Sequence, residues 1–419
     1  MILHILKLIK ANLYNNCWVL AELLVVFIVL WFTTDYFLMR GILASRPVGF
    51  NVENVYRATI SVRPQNARSF VKYEAGSDEP RQNVYRIIER IKAHPDVEAV
   101  CMSYVALPYT YGCWTSQIHH DSTNVNVRYL NVSPDYFKVF GIHLLSGGSM
   151  EELARRLPEG KVISATTAKE LFGRTDVVGK RYYVTDSISY PIVAVSEPLR
   201  NDEYATSGNV QVFEMLDDRF METLNLKEHD MNSLEICFRT RAGISPSGFA
   251  ERFMKETKRS LTAGNYWVSD VEPYTEIRSS FLEYSLGSSG QKVLSVISGF
   301  FLVNVFLAVI GTFWFRVNRR RAELGLRMAV GSTHRGICHL MINEGLLLLF
   351  LASLPALLIC GNIAYMEVLS VDVLPVSVWR FAVVSILTLL VLALIIIGAC
   401  WYPSRCASRM EPADALHYE

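Results

Sequence analysis

The residues of this chain that are best suited to chemistry are few and scattered. His119, His120 and Asp121 stand side by side and carry groups that bind metal ions. Adjacent residues of a strand point to opposite faces, so a solvated loop explains these three better than a metal site does. The string GSSGQK from Gly287 has the wrong spacing for a phosphate-binding loop and fits a flexible joint. With no HExxH, GxSxG or paired-carboxylate pattern, the sequence predicts no catalytic site.

The composition indicates a membrane protein with a large polar part. Of the 419 residues, 51% are hydrophobic and 19% are charged, which is more apolar than a typical soluble chain. The formal net charge is only +1, so no overall electrostatic field favours nucleic acid. We therefore expect a lipid bilayer among the partners of this chain, and no nucleic acid.

Four runs are long and apolar enough to cross a bilayer, which takes about 20 residues. The first contains Glu22 and Asp35 near its ends, the second contains Asn304, and the third carries Glu344 in its first turns. Exposing the polar side chains of Asn304 and Glu344 to lipid would cost free energy, so we expect both to face protein. They would either pair helices or belong to a proton or substrate pathway. Glu22 is expected to reach the lipid headgroups.

Lysines and arginines predict the orientation in the membrane. Ten basic residues lie in the two tails and in the loop between the second and third runs: Lys7, Lys10, Arg316, Arg319, Arg320, Arg321, Arg327, Arg335, Arg405 and Arg409. The loop between the third and fourth runs has Arg380 alone. The positive-inside rule therefore places both termini in the cytoplasm and exports the large polar part. Trp18 and Trp31 are expected at the membrane interface. A cleaved signal peptide is the alternative for the first run, which is long for that role.

The predicted fold class is an α-helical membrane protein with four transmembrane helices, one before and three after a large α+β extracytoplasmic domain. The predicted ranges are a cytoplasmic tail at 1–16, transmembrane helix 1 at 17–40, the periplasmic domain at 41–290, helix 2 at 291–316, a cytoplasmic coupling loop at 317–336, helix 3 at 337–365, a short outer loop at 366–379, helix 4 at 380–402 and a cytoplasmic tail at 403–419. In the exported part, Cys101 and Cys113 either form a disulfide, which leaves Cys237 unpaired, or remain thiols.

The exported part mixes strand and helix patterns. Runs of β-branched and aromatic residues predict strands that begin at Asn54, Val97, Val125, Pro191, Ser233 and Tyr266. Helical spacing predicts helices at residues 80–94, 165–172 and 247–261. Another short helix is predicted with Ser133 as its N-cap and Pro134 at its first position. Such alternation indicates α+β subdomains.

The basic loop between the second and third runs carries the clearest functional pattern. It predicts an amphipathic helix with Leu324 and Met328 on one face, four residues apart. Gly331 is expected to end this helix, and Ser332 or Thr333 to cap the third span. Charge alone fits a plain positive-inside loop, whereas the helix fits a docking site for a cytoplasmic partner.

This loop resembles the signature of FtsX-like permeases, the membrane subunits of MacB-type ABC transporters. The matching positions are Arg319, Arg320, Arg321, Glu323, Leu324, Gly325, Leu326, Arg327, Ala329, Val330, Gly331, Ser332 and Thr333. Glu344, the C-terminal tail and the exported runs from Ser133 and Val162 match as well. Met328 and the polar residues in the first span depart from the family pattern.

The resemblance implies a non-catalytic membrane subunit in the cell inner membrane. Such subunits dimerise, with a second copy or a related permease, and bind a cytoplasmic ABC ATPase; a periplasmic adaptor is a further candidate partner. No cofactor is expected on this chain, because ATP would be bound by the partner. The implied ATPase-coupling residues are Arg320, Arg321, Glu323, Leu324, Gly325, Arg327, Met328 and Gly331.

Two functions remain open at this point. In the first, ATP hydrolysis on the partner moves the basic loop, the second span and the periplasmic domain to perform export, efflux or lipoprotein work. In the second, the chain is an FtsX-like regulatory subunit that controls a cell-wall hydrolase and transports nothing. The family's regulatory member typically has a shorter exported loop. The sequence does not name a substrate.

The apolar runs also predict how two permease subunits assemble. The first and second spans should form the dimer contact, where Gly299, Ala308 and Gly311 allow close helix approach. Ionisable residues lie only near the ends of the spans, so no continuous polar channel is expected. A substrate would then enter from the periplasm or the outer leaflet.

Overall fold

The computed structural model describes residues 13–74, 76–110, 112–205, 208–224, 226, 228–285, 292–319, 326, 330–366 and 377–408. The chain divides into two compact units. One comprises Met1–Leu43 and Ser289–Glu419, and the other comprises Ala44–Ser288. We call them the helical unit and the mixed unit.

The elements follow one another along the chain with these bounds: α1 (Leu13–Ser45), β1 (Val55–Val62), α2 (Glu79–Lys92), β2 (Val97–Tyr104), β3 (Trp114–His120), β4 (Thr123–Val132), α3 (Tyr136–Val139), β5 (Leu144–Ser146), α4 (Met150–Arg156), β6 (Lys161–Ser164), α5 (Ala165–Phe172), β7 (Arg181–Thr185), β8 (Ile188–Ser196), β9 (Gln211–Met215), α6 (Asp218–Thr223), α7 (Glu228–Ser233), β10 (Leu234–Thr240), α8 (Phe249–Thr257), β11 (Thr262–Ala263), β12 (Tyr266–Pro273), α9 (Tyr274–Ser285), α10 (Lys292–Arg319), α11 (His334–Tyr365) and α12 (Val378–Ser408).

The helical unit contains α1, α10, α11 and α12, each of which is long and apolar enough to cross a membrane. One face of α1 packs with α11 and α12, and buries residues such as Phe27, Leu348 and Leu392. Helix α10 contributes Val309 to this core, while most of its other described apolar side chains are exposed. The four predicted spans thus correspond to four helices, and α10 has the least packing within its own chain.

The mixed unit contains a five-stranded antiparallel sheet in the order β11-β12-β1-β10-β2. Helices α2 and α8 pack against it. Val84, Ile87 and Ile91 of α2 are fully buried, as their helical spacing predicts, and they share a core with Phe249 and Phe253 of α8. Apolar burial on one stripe of each helix therefore holds this layer together.

The remaining long strands of the mixed unit close into a ring. The order is β4-β3-β7-β8-β6-β9, and β9 returns to pair with β4 in parallel. The ring surrounds a core that includes Ile118, Val127, Tyr182 and Val212, and α5 covers it with Leu171. Strand β4 also pairs with β2, which joins the ring to the five-stranded sheet.

The six predicted strands are present as β1, β2, β4, β8, β10 and β12, and the three longer predicted helices are present as α2, α5 and α8. The prediction at Ser133 is wrong. The helix there begins only at Tyr136, and its N-cap position is Asp135. Ser133 Oγ instead accepts a hydrogen bond from the Met102 backbone amide of β2 at 2.9 Å. The Ser133 hydroxyl is therefore used in this contact with β2 and does not cap the helix.

Candidate functional site

Only the end of the predicted coupling loop falls within the described residues. Arg320, Arg321, Glu323, Leu324, Gly325, Arg327 and Met328 lie outside them. Gly331 has a φ of +100°, a conformation that favours glycine, as expected for the end of a helix. Thr333 is the N-cap of α11, and its hydroxyl oxygen accepts a hydrogen bond from the Gly336 amide at 3.2 Å. The predicted cap is confirmed, whereas the helix that Gly331 would end lies outside the described residues and stays a prediction.

The charged pair of the helical unit joins α1 to α12. Arg380 Nε donates to Asp35 Oδ1 at 2.7 Å, and Nη2 donates to Oδ2, so the guanidinium and carboxylate meet as a two-pronged fork. Their side chains are 6% and 4% exposed. The sequence placed both residues at the same predicted outer end of their spans but did not pair them. The sequence signal that could have paired them is that their opposite charges lie at the same predicted depth in the membrane.

Two further polar contacts hold the helices together. Thr312 Oγ1 of α10 lies 2.9 Å from both carboxylate oxygens of Glu22 on α1. Glu22 is therefore bound to another helix, which differs from the expected reach to the headgroups. Trp31 Nε1 donates to Ser385 Oγ at 3.1 Å, and Trp31 is only 1% exposed. Trp31 thus belongs to the core between α1 and α12, which corrects its expected interfacial position, whereas Trp18 is exposed.

The two predicted intramembrane polar residues lie in different surroundings. Glu344 is buried within the helical unit, as expected for a residue that must avoid lipid. Asn304 is exposed in the single chain, and its amide donates to the Phe300 carbonyl of its own helix at 2.8 Å. Among the residues that the structure describes, Asn304 therefore satisfies one of its donors without pairing α10 to a neighbouring helix.

In the mixed unit, two arginines hold the segment that follows α1. The backbone carbonyls that accept from Arg200 are those of Arg46, Pro47, Glu203 and Ala205, and those that accept from Arg239 are Asn51, Glu53 and Val139. At Gly49, a Cβ atom would come within 2.4 Å of the Pro198 carbonyl oxygen, so only glycine fits. Hydrogen bonds from these two arginines therefore fix residues 46–53, which we call the entry segment, to the rest of the mixed unit.

The loop after β2 is held in a strained shape by three side chains. Val105 and Tyr109 have positive φ angles of 50° and 54°, which a β-branched or aromatic residue seldom adopts. Tyr136 donates to the Ala106 carbonyl and Glu235 Oε2 accepts from the Ala106 amide at 3.0 Å. Tyr274 similarly donates to the carbonyl of residue 108 at 2.7 Å. Burial raises the pKa of Glu235 to about 7.

The metal and disulfide candidates of the sequence do not come together. The described residues contain no group of three or more His, Cys, Asp or Glu side chains placed to hold a metal. His119 stacks on Tyr183, and its Nε2 lies 3.7 Å from Asp186. Cys113 is exposed, while buried Cys101 lies directly opposite Cys237 on β10, and all three are free thiols.

Comparisons with known proteins identify both parts of the chain. Residues 25–254 match the MacB-like periplasmic core domain, and residues 295–412 match the FtsX-like permease C-terminal domain. The macrolide export ATP-binding/permease protein MacB of Hahella chejuensis is 24% identical over 337 residues, which is 79% of this chain and 48% of that protein. MacB of Bdellovibrio bacteriovorus is 26% identical over 338 residues, 72% of this chain and 46% of that protein. The chain spans about half the length of the curated relatives it matches.

Two solved structures are also similar to about half of this chain. The periplasmic region of MacB from Actinobacillus actinomycetemcomitans aligns with 55% of this chain and 92% of its own, at 10% identity and a TM-score of 0.34. The extracellular domain of the ABC-type transporter YknZ from Gram-positive bacteria aligns with 52% of this chain and 100% of its own, at 13% identity and a TM-score of 0.31. On the two family matches, this chain belongs to the MacB/FtsX-type permeases, with a MacB-like periplasmic core domain and an FtsX-like permease domain.

Proposed function

We propose that the chain is the permease subunit of a MacB-type ABC transporter. Its support is the pair of family matches, which cover the exported core and the permease domain. The names of the relatives join an ATP-binding function to a permease function for export. We assign ATP binding and hydrolysis to a separate cytoplasmic ABC ATPase, and to this chain the non-catalytic conversion of that hydrolysis into motion of the periplasmic domain.

The observation that carries the coupling role is the junction before α11. Gly331 has a left-handed backbone and Thr333 caps α11 immediately afterwards, so the loop meets this helix at a defined break. A helix bearing Leu324 and Met328 would end at this break. An ATPase that binds those two side chains would then push directly on α11, and through the core of the helical unit on α1 and α12.

Co-purification tests this docking role. Leu324→Asp and Met328→Asp place charge on the predicted docking face, and we expect them to abolish recovery of the ATPase with the tagged permease. Leu326→Asp is the matched control, because residue 326 is about 200° around a helix from residue 324 and lies on the other side. If the variant that carries both changes recovered as much ATPase as the wild type does, docking at this face would be refuted.

We further propose a dimer formed largely through α1 and α10, with both termini in the cytoplasm. In the single chain most of the described apolar side chains of α10 are uncovered, and a Cβ added at Gly299 or Gly311 would meet nothing within 4 Å. Small residues on such a face allow close helix approach. Single cysteines placed along α10 should cross-link between subunits at helical intervals. Cross-links with no periodicity, or none at all, would contradict the proposed contact.

The polar groups of the helical unit support transport without a continuous channel. Asp35 pairs with Arg380, Glu22 with Thr312 and Trp31 with Ser385, so these side chains bind one another. We propose that a substrate enters from the periplasm or the outer leaflet, and that a periplasmic adaptor receives it. Cell assays of ATPase-dependent secretion, or of ATPase-dependent resistance to a compound, separate export from control of a cell-wall hydrolase. A transporter secretes a compound or protects cells from it in an ATPase-dependent way, whereas a regulator changes only hydrolase activity.

A further inference from the structure

The chain enters the mixed unit through the entry segment and leaves it through α9, the last helix before α10. Both of these segments contact residues 197–205, which follow β8 of the ring and which we call the β8 extension. The Arg200 backbone amide donates to the Val48 carbonyl of the entry segment at 2.9 Å. Glu203, three residues further on, forms an ion pair with Arg278 of α9. One short extension of the ring therefore contacts the chain at both ends of the mixed unit.

Glu203 holds side chains from two other segments with a single carboxylate oxygen. Its Oε1 accepts a hydrogen bond from Arg278 Nε at 2.6 Å and another from the Tyr109 hydroxyl at 2.7 Å. The Glu203 side chain is only 14% exposed. A carboxylate that is shielded from water and shared by two donors binds them more strongly than a fully exposed ion pair would.

Tyr109 extends these contacts to the entry segment. Its ring packs edge-on against Phe50 of the entry segment, with 5.4 Å between ring centroids, and against Phe281 of α9, with 5.8 Å between centroids. The positive φ angle of Tyr109 is a strained conformation, which persists only where the surrounding contacts hold it. The strained loop after β2 thus lies between the entry segment and α9 and contacts both.

We propose that Glu203 is a positioning residue that joins the entry segment and α9 to the ring in one rigid joint. Its carboxylate fixes α9 and Tyr109, and its backbone carbonyl accepts from Arg200 Nη1 at 3.1 Å, which fixes the arginine that holds the entry segment. The β8 extension is itself anchored to the ring, because Arg128 of β4 donates to Asn201 Oδ1 at 3.0 Å. A displacement at either end of the mixed unit therefore reaches the other end and the ring together.

The joint deepens the proposed coupling function, and its role in coupling rests on that function. Motion that the chain carries into the mixed unit from α1 or α10 would not be absorbed by loose connections, because both connections are fixed to the same extension of the ring. The joint itself is a property of the mixed unit, so it can be measured on the permease alone.

Hydrogen–deuterium exchange of the full chain in detergent tests the joint. Arg278→Gln removes the ion pair from the α9 side, and we expect the backbone amides of α9 to exchange about three- to tenfold faster, because a partly exposed ion pair is lost. The amides of the entry segment should exchange faster by a similar factor, although the lost ion pair joins α9 to Glu203. Helix α2 belongs to a separate apolar core and should exchange as in the wild type.

Two further variants serve as rescue and control. Arg278→Lys keeps the positive charge and should restore most of the protection in both segments. Glu214→Gln is the matched control, because it removes the carboxylate of another partly buried ion pair of the ring, the one with Lys161. It should leave the exchange of α9 and of the entry segment unchanged.

Faster exchange in α9 alone would mean that Glu203 and Arg278 form a local ion pair, and the joint would be refuted. Unchanged exchange in both segments would refute it equally. If Arg278→Gln does not fold, Tyr109→Phe removes the donor from the loop side, and unchanged exchange of α9 in that variant would contradict the joint. The chain is measured without an ATPase, so a failed docking test would leave this result as it stands.

Discussion

Removing one member of the Asp35–Arg380 pair should destabilise the helical unit strongly. Both side chains are almost fully buried and joined by a two-pronged contact. Arg380→Met leaves the Asp35 carboxylate buried without its counter-charge, and breaking such a pair costs about 3–5 kcal/mol. At about 2–4 °C for each kcal/mol, the Tm of this unit should fall by roughly 6–20 °C.

A double variant distinguishes the energy of the Asp35–Arg380 interaction from the effect of each residue alone. Asp35→Leu combined with Arg380→Met removes both charges and both desolvation penalties, so it should recover most of the stability lost by either single variant. Reversing the charges, with Asp35→Arg and Arg380→Asp together, should recover part of it. Arg335→Met is the matched control, because Arg335 is exposed and the change should alter stability by no more than about 0.5 kcal/mol.

The assay is thermal unfolding of the purified full chain in one detergent, followed by the fluorescence of its tryptophans. Trp31 lies in the core between α1 and α12, so it reports on this unit. The reasoning would be refuted if Arg380→Met melted with the wild type, or if the apolar double variant were no more stable than the single variants. Either result would mean that the charges are solvated and that the fork contributes little.

Two further predictions concern the mixed unit. Tyr136→Phe leaves the buried Ala106 carbonyl without its donor and should lower the free energy of unfolding by about 1–3 kcal/mol in urea titrations, whereas Tyr183→Phe, at a more exposed site, should not. For Glu235, whose pKa rises from 4.5 to about 7 on folding, the folded chain holds a proton that the unfolded chain has released. Its stabilising effect is present below about pH 4.5 and is lost as the pH rises through 7, a change of about 3 kcal/mol. Glu235→Gln should flatten the dependence of stability on pH, and an unchanged slope would assign that dependence to other groups.

Local pattern was enough to predict the elements that bury a regular face. The stripe of Val84, Ile87 and Ile91 predicted α2, and long β-branched runs predicted β1 and β10. The unpredicted strands are mostly short or polar, as β6 and β9 are. Strands β3, β6, β7 and β9 exist because they pair with their neighbours in the closed ring, and no local signal encodes a partner far away in sequence.

The polar contacts were beyond sequence reasoning for the same reason. Asp35 and Arg380 are 345 residues apart, and the Thr312 contact of Glu22 spans 290. Conversely, the Thr333 cap could be assigned from sequence, since a helix cap depends on adjacent residues alone.

The closed ring has a consequence for how this domain can be rebuilt. Its strands all lie between Trp114 and Met215, so it is a nested insertion within the five-stranded sheet, whose strands β2 and β10 flank it in the chain. A ring has no open edge at which another chain could add a strand and start aggregation. It is therefore the natural unit for chimaeras between relatives, provided that the graft keeps the β2–β4 pairs Ser103–Val132 and Tyr104–Asn131.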